Sequence, residues 1–374
     1  MKKVLFVHHV AAIGGGSYCM LNILKNVRFQ SVMSLVLLGQ DGPLKKEIEN
    51  LGIKVFVDGN ITSAPYNKAL WRRSCLQSYL HIGRSQKAFA AFLDAHPVDA
   101  VYLNNSMLYP LLKVAKAKGC KTLIHIREHW PMDEHRLQLG WLQSGIRRYA
   151  DEVLAINRYS ASMVPGIAAK TTIVYDWIDF SDRYEEMPLE RIFNEDCSNL
   201  KVLLFTGGFI PIKGAYEVIS SFKECIKSPD YRLLVLGTPA RETGDKRMWD
   251  LVDSDPRIKC LPSVYKLKHL VQQSYCMLSY FTIPHANLAQ AESIVLQTPV
   301  ICAATDESEE YSNGGRLSFL FPINDLNAFR RALTNIENVV PKLRAELDQG
   351  YNVTEELFSK ENNVKKLQNL FDQM

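Results

Sequence analysis

Short apolar runs recur along the chain, separated by segments of helical period. In the first half they fall at Val4–Val7, Leu35–Leu38, Lys54–Val57, Ala100–Leu103, Leu123–Ile126, Val153–Ile156 and Ile173–Tyr175. Several are apolar at successive positions, as expected of strands covered on both faces. Between them lie helix-length segments such as Ser17–Asn26 and Leu108–Lys118, the latter followed by Gly119 as a stop signal. This alternation predicts an α/β doubly wound domain with a parallel sheet. The pattern weakens from Asp176 to Asn199, a stretch rich in Asp, Glu and Arg that contains Pro188. A second series follows at Val202–Phe205, Leu233–Leu236, Ile258–Leu261, Cys276–Leu278, Val300–Cys302 and Leu317–Phe321, with helical segments at Ala215–Ile226, Lys266–Gln273 and Leu326–Ile336. The expected organisation is a first Rossmann-like domain over 1–178, a linker over 179–199 and a second Rossmann-like domain over 200–354. A closing helix lies within 355–374. It starts after Ser359 and carries Val364, Leu367, Leu370 and Phe371 on one face.

A chain of 374 residues exceeds the usual size of one domain, and 47% hydrophobic with 22% charged residues excludes a disordered or fibrous protein. The eight cysteines sit singly with no C-x-x-C pair, which argues against a zinc ribbon or a redox dithiol and for free thiols in a reducing cytosol. No run reaches the ~18 apolar residues of a membrane span. The opening Met1–Val7 reads as a buried strand, because His8, His9 and the glycines stop the apolar stretch too early for a signal peptide. Charge is distributed unevenly. Residues 1–184 carry 23 Lys+Arg against 14 Asp+Glu, and the remainder 21 against 26. Two halves of opposite sign suggest different partners.

Two consecutive doubly wound domains would present the carboxyl ends of their strands to ligands around a shared cleft. Four constellations lie at such ends. Gly14-Gly15-Gly16-Ser17 follows the first strand and opens a helix, where bare backbone and free N–H groups can meet an anion. Cys19 stands where the dinucleotide fingerprint needs its third glycine. Thr206-Gly207-Gly208-Phe209-Ile210-Pro211-Ile212-Lys213-Gly214 opens the second domain's first helix. A cation at a helix start opposes the helix dipole, so Lys213 calls for a reason such as phosphate. Asn287 caps a helix that Pro299 stops, and from Leu288 to Thr298 its only charge is Glu292, a carboxylate suited to a ribose or sugar diol. His125-Ile126-Arg127-Glu128-His129-Trp130 gathers ionisable side chains at the end of a first-domain strand. Asp253-Ser254-Asp255 has the D-x-D form of some metal-holding glycosyltransferases, but it precedes Pro256 and reads as an exposed helix end. The segment 68–87 holds Lys68, Arg72, Arg73, Arg84 and Lys87 with no acid, alongside Leu70, Trp71, Leu76, Tyr79, Leu80 and Ile82. Such a helix can lie on anionic lipid.

On these segments the chain resembles the GT-B glycosyltransferases of the large retaining family 4, of the kind found in bacterial capsule, O-antigen and lipopolysaccharide synthesis. The resemblance is carried by Gly14–Gly16, Asp151–Asn157, Thr206–Gly214, the block from Glu292 to Pro299-Val300-Ile301, and Phe358-Ser359 with Glu361. It implies a second domain that binds a nucleotide-sugar donor and a first domain that binds a saccharide or lipid-linked acceptor. The closing helix would return to the first domain. By position, Lys213 would meet the donor diphosphate, Glu292 the ribose, and the N–H groups after Asn287, at Leu288, the phosphates. Val264 and Tyr265 would lie near the base, and Gly15, Gly16, Gly207, Gly208 and His285 would line the donor site. Glu128 or His129 would assist at the reacting sugar, with Arg127 and Trp130 toward the acceptor. No metal and no other cofactor is expected, because lysine and backbone donors stabilise the leaving diphosphate. No nucleic acid partner is expected.

The sequence departs from the family pattern at three places. Pro284 stands where the first glutamate of an E-x7-E pair would be, Gly208 where an arginine five residues before the lysine would be, and Asp176-Trp177 in place of Asn-Gly. His285, Arg241 and Arg316 are candidates to compensate. The expectation is therefore a cytoplasmic, retaining, metal-independent glycosyltransferase, resting peripherally on the inner membrane face. The alternatives are a catalytically silent saccharide-binding or scaffold subunit, or another GT-B chemistry such as epimerisation of a sugar nucleotide.

Overall fold

A computed structural model describes residues 2–12, 14–27, 32–65, 72–130, 136–178, 185–264, 266–284 and 287–373, with the backbone alone over 350–355. The chain divides into two compact units, Met1–Trp177 with Glu361–Met374, and Ile178–Lys360. Each is built on one parallel sheet.

The first unit's strands are β1 (Lys2–His8), β2 (Val32–Leu38), β3 (Lys54–Val57), β4 (Ala100–Leu103), β5 (Lys121–Ile126), β6 (Glu152–Ala155) and β7 (Thr171–Ile173). They lie in the order β3-β2-β1-β4-β5-β6-β7. The central pair is in register through Leu5 opposite Val101 and Phe6 opposite Tyr102. β4 is buried at every position, as the continuous apolar run requires of a strand with helices on both faces. The sequence places six of the seven strands, and those such as β1 and β5 extend past the apolar runs into polar ends at Lys2 and Lys121; β7, expected at Ile173–Tyr175, lies earlier at Thr171–Ile173. Backbone pairing with a neighbour, rather than hydrophobicity, sets those limits.

The second unit contains β8 (Lys201–Phe205), β9 (Tyr231–Leu236), β10 (Ile258–Leu261), β11 (Cys276–Ser279), β12 (Val300–Ala304) and β13 (Phe319–Pro322), in the order β10-β9-β8-β11-β12-β13. In both sheets the strand order reverses beside the first strand, between β1 and β4 and between β8 and β11. Ligands of doubly wound folds bind outside the carboxyl ends at such a switch point.

Two boundaries differ from expectation. The stretch read as a linker over 179–199 is, from 185 onward, part of the second unit. Leu189, Phe193 and Cys197 are buried against Val202, Leu204 and Met277, and the short helix Leu189–Phe193 ends on left-handed Asn194 (φ 60°). Three buried residues at a spacing of four are too few to show as periodicity. The end of the chain is two helices, Ile336–Phe358 and Lys360–Asp372, separated by extended Ser359. The second closes the first unit. Leu367, Leu370 and Phe371 are buried, with the Phe371 ring 5.9 Å from Phe6 and 6.2 Å from Tyr102. Asn363 Oδ1 accepts the Tyr175 N–H at 3.0 Å.

Candidate functional site

At the β1/β4 switch point the first unit buries a continuous polar cluster. The ring of His8, the last residue of β1, lies 3.1 Å from the Ser17 hydroxyl in the first turn of the helix Gly15–Asn26. Asn104, just past β4, donates to the Gly16 carbonyl at 3.0 Å and to His8 Nδ1 at 3.2 Å. Its Oδ1 accepts from Arg127 Nε at 3.2 Å. Asn105 donates to Nδ1 of both His8 (3.3 Å) and His9 (2.7 Å). These contacts make each Nδ1 an acceptor and leave the proton of the neutral ring on Nε2. Burial lowers the His8 pKa to about 3, with His9 and Arg127 acting in the same direction, and burial lowers His9 to about 4. Both rings are uncharged at neutral pH.

Gly14 and Gly15 have no neighbour within 4 Å of where a Cβ would stand, and at Gly16 the nearest is Arg127 Cδ at 3.9 Å. Packing in the unit therefore does not demand glycine there, and the bare backbone is available to a ligand.

Arg127 is buried. It ion-pairs with Asp176 through Nη1, and its Nη2 donates to His125 Nδ1 at 3.1 Å. Burial opposes its charge, and the Asp176 carboxylate more than offsets this, so its pKa lies above the ordinary value. Arg127 is thus the cation that holds β5 to the segment after β7. Its place beside Asp176 and Asn104 departs from the expected acceptor contact. Trp130 departs further. It is 1% exposed in the apolar core, and its indole N–H donates to the Ser106 hydroxyl at 2.7 Å. A ring enclosed this way has no face for a saccharide. Glu128 is half-buried, and its carboxylate accepts the Ser106 N–H at 2.9 Å and the Ser106 hydroxyl. Burial raises its pKa against the opposing effect of those bonds. The half-buried ring of His129 stacks on Tyr159, centroids 4.0 Å apart and planes 4° apart. Of the expected pair, the Glu128 carboxylate is bonded to Ser106, and His129 presents a stacked ring.

The second unit's switch point is formed by two loops. The first, Thr206–Gly214, depends on glycine at three positions. A Cβ on Gly207 would stand 2.1 Å from the Phe205 ring, and one on Gly214 (φ 68°) 2.2 Å from the Tyr280 ring. Gly208 is left-handed (φ 57°), and a Cβ there would stand 2.1 Å from the Gly237 carbonyl oxygen. Its N–H donates to Leu236 at 2.9 Å, which joins the loop to the end of β9. This explains the departure from the family's arginine, since only glycine fits this backbone. Lys213 sits at the end of the loop, half-buried, and has no ion-pair partner among the described residues. Burial lowers its pKa. A partly desolvated ammonium without a carboxylate favours an anionic ligand.

The second loop follows β11 and is joined to the first by the Thr282 N–H, which donates to the Ile212 carbonyl at 3.1 Å. It leads to the helix Leu288–Val295. Asn287 caps this helix, its Oδ1 accepting the Gln290 N–H at 3.2 Å. The first intrahelical backbone bond runs from the Ala291 N–H to the Asn287 carbonyl, and the N–H groups of Leu288 and Ala289 precede it. Glu292 is 5% exposed on this helix. Val264, between β10 and the helix Lys268–Gln273, packs against the second unit's core. Tyr265 and His285 lie outside the described residues.

Two of the compensating candidates are already engaged. Arg241 forms two 2.8 Å bonds to Asp253, and Arg316 Nε bonds Glu346 at 2.5 Å. The D-x-D carboxylates are likewise both held by arginines, Asp253 by Arg241 and Asp255 by Arg257 at 2.7 Å.

Sequence reasoning missed His8, His9, Asn104, Asn105 and Ser106 as members of the first-unit cluster. The signal was available, because all follow or end apolar central strands at the carboxyl side, where this architecture places its chemistry.

No family model and no curated protein matches the sequence. Solved structures do match. HepE of Anabaena, solved in complex with UDP and glucose, superposes at a TM-score of 0.78 with 18% identity over 100% of both chains. A glycosyltransferase from Rickettsia africae superposes at 0.75 with 14% identity, over 100% of this chain and 98% of that one. WaaG, a glycosyltransferase involved in lipopolysaccharide biosynthesis, superposes at 0.65 with 16% identity, over 98% and 99%. Likeness at this level of identity shows the fold, a GT-B architecture of two Rossmann-like units.

Proposed function

We propose that the chain is a glycosyltransferase that moves a sugar from a nucleoside-diphosphate donor to a saccharide or lipid-linked saccharide acceptor. The observation that carries this reading is Lys213, a half-buried cation with no described counter-ion. It lies at the β8/β11 switch point, on a loop that close packing of its glycines against Phe205, Gly237 and Tyr280 holds in place. A diphosphate is the anion such a site suits, with the Leu288 and Ala289 N–H groups as further donors. The buried carboxylate of Glu292 would accept from the ribose hydroxyls. That HepE, of the same fold, was solved with UDP and glucose supports the ligand class and makes UDP the first probe.

In the reaction the bond from the anomeric carbon to the β-phosphate oxygen breaks. A bond forms to the acceptor hydroxyl oxygen, whose proton passes to the departing diphosphate. Lys213 offsets the charge developing on that diphosphate, so protein donors take the role a divalent metal has elsewhere. Retention of configuration and a place in surface-polysaccharide synthesis accompany this reading, through the motifs shared with family 4 and the likeness to WaaG.

Peripheral membrane contact belongs to the same proposal. On the helix Arg73–Ala95 the exposed residues Arg73, Leu76, Leu80, Arg84 and Lys87 share one face, with Leu76 51% and Leu80 78% exposed. Tyr79 of this helix contacts the Trp141 ring at 5.2 Å, and Trp141 and Leu137 are themselves exposed. Leucine and tryptophan bordered by arginines suit an anionic bilayer surface. Among the described residues no helix is long and apolar enough to cross a membrane.

The test is incubation with a panel of nucleotide-sugars and lipid-linked saccharides, followed by mass spectrometry of the acceptor and NMR of the new linkage. An acceptor one sugar heavier, with the donor's anomeric configuration, is expected. Pro284 and Gly208, which replace a donor-side acid and cation of the family, favour a second reading as a silent saccharide-binding subunit. Saccharide binding without binding of any nucleotide would select it.

A further inference from the structure

The first unit contains a cavity of about 570 Å³ where the carboxyl ends of β1, β2 and β3 meet the helix Arg73–Ala95. Its volume falls within the range of small-molecule sites, about 300–1,000 Å³. The strand ends are drawn together by Gly39, where a Cβ would stand 2.3 Å from the Ile61 carbonyl oxygen and 2.7 Å from that of His9. The backbone thus closes one wall only because this residue has no side chain.

The polar lining is varied. His9 contributes from the end of β1, Gln40 and Asp41 from the loop after β2, and Ser78 and His81 from one face of the helix. His9 is fixed in role: Asn105, itself 2% exposed, donates to its Nδ1 at 2.7 Å, so the ring's remaining polar atom is an Nε2–H donor. Val57 and Ile61 add apolar surface. Hydroxyl, amide, imidazole and carboxylate groups around an apolar ledge suit the alternating C–H and O–H surface of a pyranose ring.

The charge of the lining narrows the choice. Among the described lining residues none is lysine or arginine, and one, Asp41, is a carboxylate, which Lys45 meets at 3.6 Å from outside the lining. The His9 ring stays neutral because burial lowers its pKa. This is notable in a half of the chain with an excess of nine positive charges. A phosphate or carboxylate in this cavity would meet Asp41, which Lys45 already pairs, and no cation from the described lining.

We propose that this cavity is the acceptor subsite and that it takes a saccharide unit without an anionic group, such as a neutral hexose or N-acetylhexosamine. It excludes hexuronic acids and sugar phosphates. The assignment of the ligand as the acceptor rests on the glycosyltransferase reading. The selection for an uncharged ring rests on the cavity alone.

The experiment is saturation-transfer NMR and calorimetry on the full chain with methyl glycosides of a neutral hexose, an N-acetylhexosamine and a hexuronic acid, plus a hexose phosphate. At least one neutral glycoside should bind, and both anionic probes should bind at least about tenfold more weakly. Ser78→Trp, which fills the cavity, should abolish binding. His81→Ala, a truncation of an exposed side chain, should weaken it about tenfold and leave the melting temperature unchanged. UDP titration of the same variants should match wild type, because neither Ser78 nor His81 belongs to the groups assigned to the donor. Equal or tighter binding of the anionic probes, retention of binding by both variants, or no binding of any neutral glycoside overturns the subsite. Loss of UDP binding by the wild-type chain instead overturns the donor reading and leaves this result to stand or fall by itself.

Discussion

The neutral histidines at the end of β1 make the first unit sensitive to acid in a calculable way. In the unfolded chain His8 and His9 titrate near 6.5, whereas in the folded unit they are lowered to about 3 and about 4. At pH 8 neither state binds these protons, and stability does not depend on them. As pH falls through 6.5 the unfolded rings take up protons that the folded rings refuse. The unfolded state then binds more protons, so stability falls with falling pH until the folded pKa values are reached. By pH 5 the loss is about 2 kcal/mol for each ring and about 4 kcal/mol for the pair. His125, fully buried with its pKa held well below the ordinary value by burial and then by Arg127, acts in the same direction. A loss of this size is a large part of the ~5–15 kcal/mol stability of a typical domain. The assay is urea unfolding at pH 8, 6.5 and 5, with the first unit followed by hydrogen exchange of the β1 and β4 amides. His9→Gln should remove about 2 kcal/mol of the difference between pH 8 and pH 5, and carboxylate effects common to both proteins cancel in the comparison. Identical pH dependence in wild type and His9→Gln would refute the argument that this ring is held neutral.

Other consequences follow from the same geometry. Lys213→Ala should weaken UDP binding by about 2 kcal/mol or more, roughly thirtyfold, by isothermal calorimetry, with Glu292→Gln also weakening the nucleoside end. Gly208→Arg, which introduces the arginine expected from the family resemblance, should lower stability by about 1–3 kcal/mol or more instead of improving donor binding, because the backbone is left-handed against Gly237; a thermal melt reads this directly. Phe371→Ala should destabilise the first unit by about 3–5 kcal/mol, seen as a lower urea midpoint for its amides, since the ring is 1% exposed between Phe6 and Tyr102. Leu80→Glu should reduce sedimentation with anionic vesicles and leave UDP affinity unchanged, because it reverses the exposed helix face outside the nucleotide loops.

Twelve of the thirteen strands were legible because central parallel strands must be apolar on both faces, and a run such as Ala100–Leu103 has few other uses in a globular chain, whereas the edge strand Thr171–Ile173 begins on two threonines and was read two residues late. The Asn287 cap and the helix it starts were equally plain, since a short polar side chain before an uncharged segment is a local signal. The packing of Leu189, Phe193 and Cys197 onto the second unit was not, because it depends on partners around Val202 and Met277 that local periodicity does not reveal. The cluster His125–Trp130 was correctly placed at a strand end, yet sequence could not tell which side chains turn inward. Trp130 and Arg127 proved to be core and ion-pair residues, while Asn104, Asn105 and Ser106, unremarked in the pattern, carry the connecting hydrogen bonds. The cavity had no local signature at all, because positions 9, 39–41, 57–63 and 78–81 meet only through the order of β1, β2 and β3. The missing arginine has a reason that sequence hides. Position 208 needs a left-handed backbone, and the constraint comes from Gly237, 29 residues away.

The proposed function requires the β8/β11 switch point of the second unit to hold the diphosphate of an activated sugar. A crystal structure with bound UDP or a UDP-sugar tests this. Phosphate oxygens are expected within hydrogen-bonding distance of Lys213 Nζ and the Leu288 and Ala289 N–H groups, with the ribose hydroxyls on Glu292. A nucleotide bound elsewhere, or one whose phosphates leave Lys213 untouched, would contradict it.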